Sequence, residues 1–128
     1  MNANEDSKLW GWHLSLNLSG CDLLAIKNKE KLDQFTRQLV KDIDMVPYGD
    51  PQIVYFGHED KSGYTILQLI ETSNICAHFV DELESGFLDI FSCKEFDKDV
   101  VINLIKEYFN PVEITSTYQE RRCSVFPR

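Results

Sequence analysis

Basic residues are scarce in this chain: its 128 residues hold 13 Lys and Arg against 21 Asp and Glu, a formal charge of −8. A phosphate backbone is recognised by clustered cations that displace counterions, and the one basic cluster, "QERRCSVFPR", is short. Nucleic acid is therefore not an expected partner. Long apolar runs are missing too, since nothing approaches the roughly 20 residues that a membrane-spanning helix needs. The opening "MNANEDSKLW" is polar and acidic where a secretory leader carries basic residues and then an apolar run, so the cytoplasm is the expected location. Cys21, Cys76, Cys93 and Cys123 form no C-x-x-C pair, which excludes a zinc ribbon or redox motif and leaves free thiols as the expectation. His13, His58 and His78 make neither H-x-x-x-H nor H-E-x-x-H, so no metal is expected. The six glycines are scattered singly and build no phosphate loop, and no G-x-S-x-G elbow marks a serine hydrolase.

What is present describes one globular domain over residues 1–128. Hydrophobic residues make up 43% and charged residues 27%, enough for a real core and too short a chain for two ordinary domains. "WHLSLNL" alternates, with Trp12, Leu14, Leu16 and Leu18 on one face and His13, Ser15 and Asn17 on the other, as a half-buried strand does. From Lys29 to Met45 the period changes to three and four, with Leu32, Phe35, Leu39 and Ile43 as the apolar stripe of a helix. "VPYGDP" ends it. Four strand-like runs follow, "QIVYFGH", "YTILQLIE", "NICAHFV" and "GFLDIFS", two of their joints being the turn-like "EDKSG" and "DELESG"; they predict an antiparallel meander. "DKDVVINLIKEYF" predicts a second helix with Asp97 as N-cap and Val101, Leu104, Ile105 and Tyr108 inward, and "VEITSTY" a last strand. The order β-α-β-β-β-β-α-β implies an α/β fold, a two-layer sandwich of antiparallel sheet with two amphipathic helices on one face. The other face needs different cover, and a homodimer through it is expected.

One stretch raises a question of chemistry. "ETSNICAHFVDE", residues 71 to 82, sets Ser73, Cys76 and His78 within six positions of a strand. They are either a reactive centre or three small polar residues tolerated on a strand face. The wider pattern favours the first. Gly11, His13, Leu14, Cys21 and Asp22 in "WGWHLSLNLSGCD", Ser73, Ile75, His78 and Glu82 in the central stretch, and Asp89, Ile90, Phe91, Ser92 and Cys93 in "GFLDIFSC" stand in order, without a gap between the last two groups. Together they resemble the small prokaryotic S-adenosylmethionine decarboxylases, pyruvoyl enzymes made as self-cleaving proenzymes for polyamine (spermidine) biosynthesis.

The resemblance implies a role for each matched position. Cleavage falls between Thr72 and Ser73, and Ser73 becomes the pyruvoyl cofactor, an electron sink for decarboxylation of a small-molecule substrate. His78 is the processing base, Thr65 the processing hydroxyl and Cys93 the proton donor to the substrate. The chain also departs from the family pattern. Thr72 stands where the family has Glu, and Asn74 where it has His. Glu59 and Val80 occupy the places of two adenine-stacking rings, unless Tyr55, Phe56 or Tyr64 fills one of them. Glu59, Asp81 and Glu82 are candidate substrate-binding residues, and their charge suits a basic amino acid such as arginine or ornithine as well as it suits a solvated loop. Three readings follow: S-adenosylmethionine decarboxylation, the same chemistry on a basic amino acid, and a non-processing homologue acting as a binding or regulatory protein.

Overall fold

The computed structural model describes residues 7–127, and its first strand, β1 (Ser7–Ser19), runs past the predicted stretch at both ends, with the alternation broken by a register shift between Leu9 and Gly11. The acidic residues 1–6, part of the reasoning on location, lie outside the described residues. Leu14, Leu16 and Leu18 of β1 are buried while His13, Ser15 and Asn17 point to the other side. Trp12 is only partly buried, packed on the edge of the core.

After β1 comes a helix that the periodicity does not reveal, α1 (Leu23–Ile26), a single turn started by the Asp22 side chain. The predicted helix follows as α2 (Lys29–Asp42). Asn28 Oδ1 accepts from the Lys31 amide at 3.1 Å to begin it, with Glu30 in the first turn and Lys41 in the last, each of the sign the helix dipole favours. It stops at Asp42, so Met45 belongs to the following segment. Its buried face is Leu32, Phe35, Thr36, Leu39 and Val40, and Thr36 satisfies its hydroxyl on the Leu32 carbonyl.

β2 (Gln52–Phe56), β3 (Gly63–Ile70), β4 (Ser73–Val80) and β5 (Ser85–Ser92) form the predicted meander. α3 (Lys98–Phe109) is capped by Asp97 and closed by Asn110 at φ 43°, in the left-handed conformation asparagine tolerates. Tyr108, expected inward, is half-buried. Phe109 takes the fully buried place, its ring 4.8 Å from Phe35 and 5.1 Å from Phe79. The last strand, β6 (Glu113–Ser124), runs well past "VEITSTY" because it pairs with β1 along nearly its full length.

The sheet order is β2-β3-β4-β5-β1-β6, every neighbouring pair antiparallel. The helices lie on one face and share one core with it, which makes the two-layer α/β sandwich. Gly63 is required where β3 passes β4, because a Cβ there would collide with the Phe79 carbonyl. No helix among the described residues covers the other face. Val54, Phe56, Leu69 and Phe87, on strand positions facing that side, are each 44 to 54% exposed.

Candidate active site

Ser73 is the first residue of β4, reached by a two-residue turn, Glu71–Thr72, from β3. It pairs with Ile70 on one side and Ser92 on the other. Its φ is 156°, in the range that glycine favours and other residues enter at a cost of order 1 to 3 kcal/mol. That strain lies on the residue whose hydroxyl would have to reach backwards to its own carbonyl neighbour. The Ser73 hydroxyl accepts a long hydrogen bond from Asn74 Nδ2, 3.4 Å.

The preceding residue is held from two sides. The Cys93 amide donates to the Thr72 carbonyl at 2.9 Å. The Ser92 hydroxyl donates to Thr72 Oγ1 at 2.8 Å, and Thr72 Oγ1 donates to Met45 Sδ at 3.3 Å. The segment after α2 supports the same turn, since the Glu71 amide donates to the Val46 carbonyl. Lys94 ties the far side, its ammonium 2.9 Å from Asp44 Oδ2, and that hydrogen bond holds the Asp44 carboxyl below its usual range. Sequence reasoning found Ser73, Thr72 and Cys93 but not Met45 or the role of Ser92. Met45 carries no sequence signal, because only the fold brings the segment after α2 to this turn. Ser92 does lie within the "DIFSC" motif.

Thr65 and His78 form a second cluster. They are paired across β3 and β4, with Thr65 Oγ1 and His78 Nδ1 2.6 Å apart. The Phe56 ring is 6.0 Å from the imidazole and Phe87 is its register partner on β5. His78 lies five positions along β4 from Ser73, about 16 Å at the usual rise of a strand. The alternation also puts His78 on the open face, away from the core-facing Ile75, Ala77 and Phe79. Within one chain, then, the candidate base does not meet the candidate serine.

The three acidic candidates sit beyond that second cluster. Glu59 is exposed, in a single 3-10 turn at φ 54°. Glu82 is exposed in the turn after β4. Asp81 is partly buried: Oδ2 accepts from the Tyr55 hydroxyl at 2.7 Å, which raises the tyrosine pKa, while Oδ1 is buried with no hydrogen-bond partner among the described residues. Tyr55 in turn packs edge-on against Tyr64.

Cys76, the third member of the stretch that posed the question, is the least suited to reaction. Burial, then the nearby Asp89 carboxylate, pushes its thiol pKa up and disfavours the thiolate. Cys93, by contrast, is exposed. His13 and Asp89, quoted from two separate motifs, meet on the open face with Nε2 and Oδ1 2.9 Å apart, and Arg121 lies over the Phe91 ring beside them. Among the described residues, no three His, Cys, Asp or Glu side chains converge as a metal site, and no helix is long and apolar enough to cross a membrane.

A solved structure of an adenosylmethionine decarboxylase from Aquifex aeolicus VF5 superposes with a TM-score of 0.72 at 23% identity, covering 89% of this chain and 92% of that one, and so has the same fold. No curated protein sequence matches the chain. The family profile of S-adenosylmethionine decarboxylase matches residues 12–122, which takes in all the candidate residues, from the strand carrying His13 through Ser73 and His78 to Cys93 and on into β6. The chain belongs to the S-adenosylmethionine decarboxylase family.

Proposed function

We propose that the chain is a self-cleaving proenzyme of a pyruvoyl-dependent decarboxylase, with S-adenosylmethionine as its leading substrate and polyamine (spermidine) synthesis as its context. The observation that carries the reading is the Thr72–Ser73 peptide: its carbonyl is already polarised by the Cys93 amide, and the serine beside it has a strained φ. In cleavage the Ser73 hydroxyl attacks the Thr72 carbonyl carbon, and the amide donor stabilises the charge that develops on the oxygen. The C–N bond then opens, the hydroxyl proton passes to the Ser73 nitrogen, and an ester remains. A base removes the Ser73 Cα proton, the Thr72 carboxylate leaves, and water releases ammonia from the new amino terminus. The products are residues 1–72 and residues 73–128, the second carrying a carbonyl in place of an amine.

That pyruvoyl group would supply an electron sink for loss of carbon dioxide. The chain's own residues have the remaining tasks. Cys93, with its side chain exposed, is suited to return a proton to the substrate carbon. His78, oriented by Thr65, is suited to be the base of the elimination. Since His78 and Ser73 of one chain stand about 16 Å apart on one strand, this role calls for a second copy. A two-fold homodimer packed through the open face would offer His78 and Thr65 of the partner subunit to Ser73, and the half-exposed Phe56, Leu69 and Phe87 supply apolar surface for it. Free thiols throughout suit a reducing cytoplasm.

Phe56 supports S-adenosylmethionine, because it sets an exposed ring beside His78 where Glu59 supplies none. The second reading, a basic amino acid as substrate, is favoured by the unpartnered Asp81 oxygen. Intact-mass spectrometry of freshly made and aged protein tests the first step. Two fragments, with the carbonyl on the second alone, support it; a single full-length mass from folded protein turns the reading to a non-processing homologue, as Thr72 and Asn74 suggest. Carbon dioxide release from S-adenosylmethionine, arginine and ornithine in parallel then separates the substrates.

A further inference from the structure

The Ser92–Cys93 dipeptide grips two polar groups of one residue. The Cys93 amide holds the Thr72 carbonyl, and the Ser92 hydroxyl holds the Thr72 side chain. Ser92 is 0% exposed, so water does not replace this contact. The Lys94 amide donates to Ser92 Oγ at 3.0 Å, the Ser92 and Thr72 hydroxyls share a hydrogen bond of 2.8 Å, and Met45 Sδ is within reach of both, 3.3 Å from Thr72 Oγ1 and 3.7 Å from Ser92 Oγ. A threonine on a surface turn normally faces solvent or its own backbone. Here it is turned into the protein and anchored between the end of β5 and the segment that follows α2.

We infer that Ser92 is a positioning residue for self-cleavage, which fixes the Thr72–Ser73 peptide plane, through the Thr72 side chain, with its carbonyl on the Cys93 amide and its carbon open to Ser73 Oγ. The inference rests on the self-processing reading and adds a residue to it. Attack on a neighbouring carbonyl needs the peptide plane turned to a narrow range, and a small misplacement costs orders of magnitude in rate. A single hydrogen bond to the carbonyl oxygen leaves that plane free to rock about the bond. The second anchor removes this freedom. Among the described residues the Ser92 hydroxyl makes no hydrogen bond to the Thr72 carbonyl or to Ser73 Oγ, and its bond to this peptide is the one to Thr72 Oγ1, so it acts through Thr72.

The experiment follows cleavage of freshly synthesised chain by intact mass over time, in the parent, Ser92→Ala, Ser92→Thr, Thr72→Val, Thr72→Ser and the pair Ser92→Ala with Thr72→Val. The expected result is cleavage at least tenfold slower in Ser92→Ala and in Thr72→Val. Ser92→Thr and Thr72→Ser, which keep the hydroxyls, should stay within threefold of the parent. The double variant should be no slower than the slower single, because both remove the same contact. Thermal unfolding of each precursor separates loss of fold from loss of position, and if Ser92→Ala does not fold, Thr72→Val carries the test. A parent that cleaves while Ser92→Ala and Thr72→Val match it overturns the positioning role and leaves self-processing intact. So does a Ser92→Thr variant that folds but is as slow as Ser92→Ala. A folded parent that never cleaves overturns self-processing, and this role with it.

Discussion

Thr65 Oγ1 and His78 Nδ1 are 2.6 Å apart across β3 and β4, yet His78 is about five strand positions from Ser73 on the same strand. The hydroxyl orients the imidazole, and the strand separates both from the serine they would serve. This predicts complementation between copies. Ser73→Ala alone and His78→Ala alone should each fail to mature. Made together, they should form mixed dimers in which His78 of the Ser73→Ala subunit serves the intact Ser73 of the His78→Ala subunit. Only the His78→Ala chain should then be cut, which mass spectrometry distinguishes directly. A carbonyl-bearing fragment from isolated His78→Ala, or none from verified mixed dimers, would remove His78 from this role.

The Cys93 side chain and backbone should separate experimentally. Cys93→Ala keeps the amide that donates to the Thr72 carbonyl, so cleavage should proceed while decarboxylation falls by at least tenfold. Cys93→Pro has no N–H and should slow cleavage by about 100-fold or more, the usual cost of losing one oxyanion donor. Time courses of cleavage and of carbon dioxide release on the same preparations check both. Equal turnover by Cys93→Ala and the parent would take the thiol out of the mechanism.

Much of this fold was legible because its signals are local. Alternation in "WHLSLNL", the three-and-four spacing from Leu32 to Ile43 and the Asp97 cap each need only a few neighbouring residues. α1 is a single turn with no room for periodicity, and the length of β6 is set by its partner β1 rather than by its own mostly exposed residues. At the site, the chemistry-bearing Ser73, His78 and Cys93 were visible as residue types in ordered motifs. That Ser73 and His78 fall into separate clusters was within reach, since five positions along a strand already put them about 16 Å apart. Met45 was not, because it acts on Thr72 from 27 positions away and only the tertiary fold joins them.

Cys21 should be the slow thiol of the four. Burial, with help from the Glu84 carboxylate, raises its pKa from 9.0 to about 11. The folded state thus holds this proton more tightly than the unfolded state does. The associated stability is full below pH 9 and is lost progressively as pH rises from 9 towards 11. At pH 8, exposed Cys93 and Cys123 should be alkylated rapidly and Cys21 only on unfolding, and Cys21→Ala should flatten the alkaline fall in denaturant midpoint between those values. Peptide mapping after brief alkylation checks the first, and rapid labelling of Cys21 in folded protein would contradict the burial argument.

Phe56 is the residue on which the substrate turns. Its ring is exposed and 6.0 Å from the His78 imidazole, while the loop position Glu59 is a solvated carboxylate. A base stacked on one aromatic ring gains about 1 to 3 kcal/mol. Phe56→Ala should therefore raise the KM for S-adenosylmethionine by roughly 5- to 150-fold, measured on fully cleaved protein, because the ring also stands beside His78 and on the face proposed for the dimer. A carboxylate offers nothing to neutral adenine but pairs well with a guanidinium or ammonium. If arginine or ornithine is the substrate instead, Asp81→Asn should abolish turnover and Phe56→Ala should leave it nearly unchanged, since the Asp81 oxygen now without a partner would be the one engaged. Measuring released carbon dioxide for both variants on all three compounds decides between the two readings. Turnover of S-adenosylmethionine that is indifferent to Phe56→Ala would show that the base stacks elsewhere.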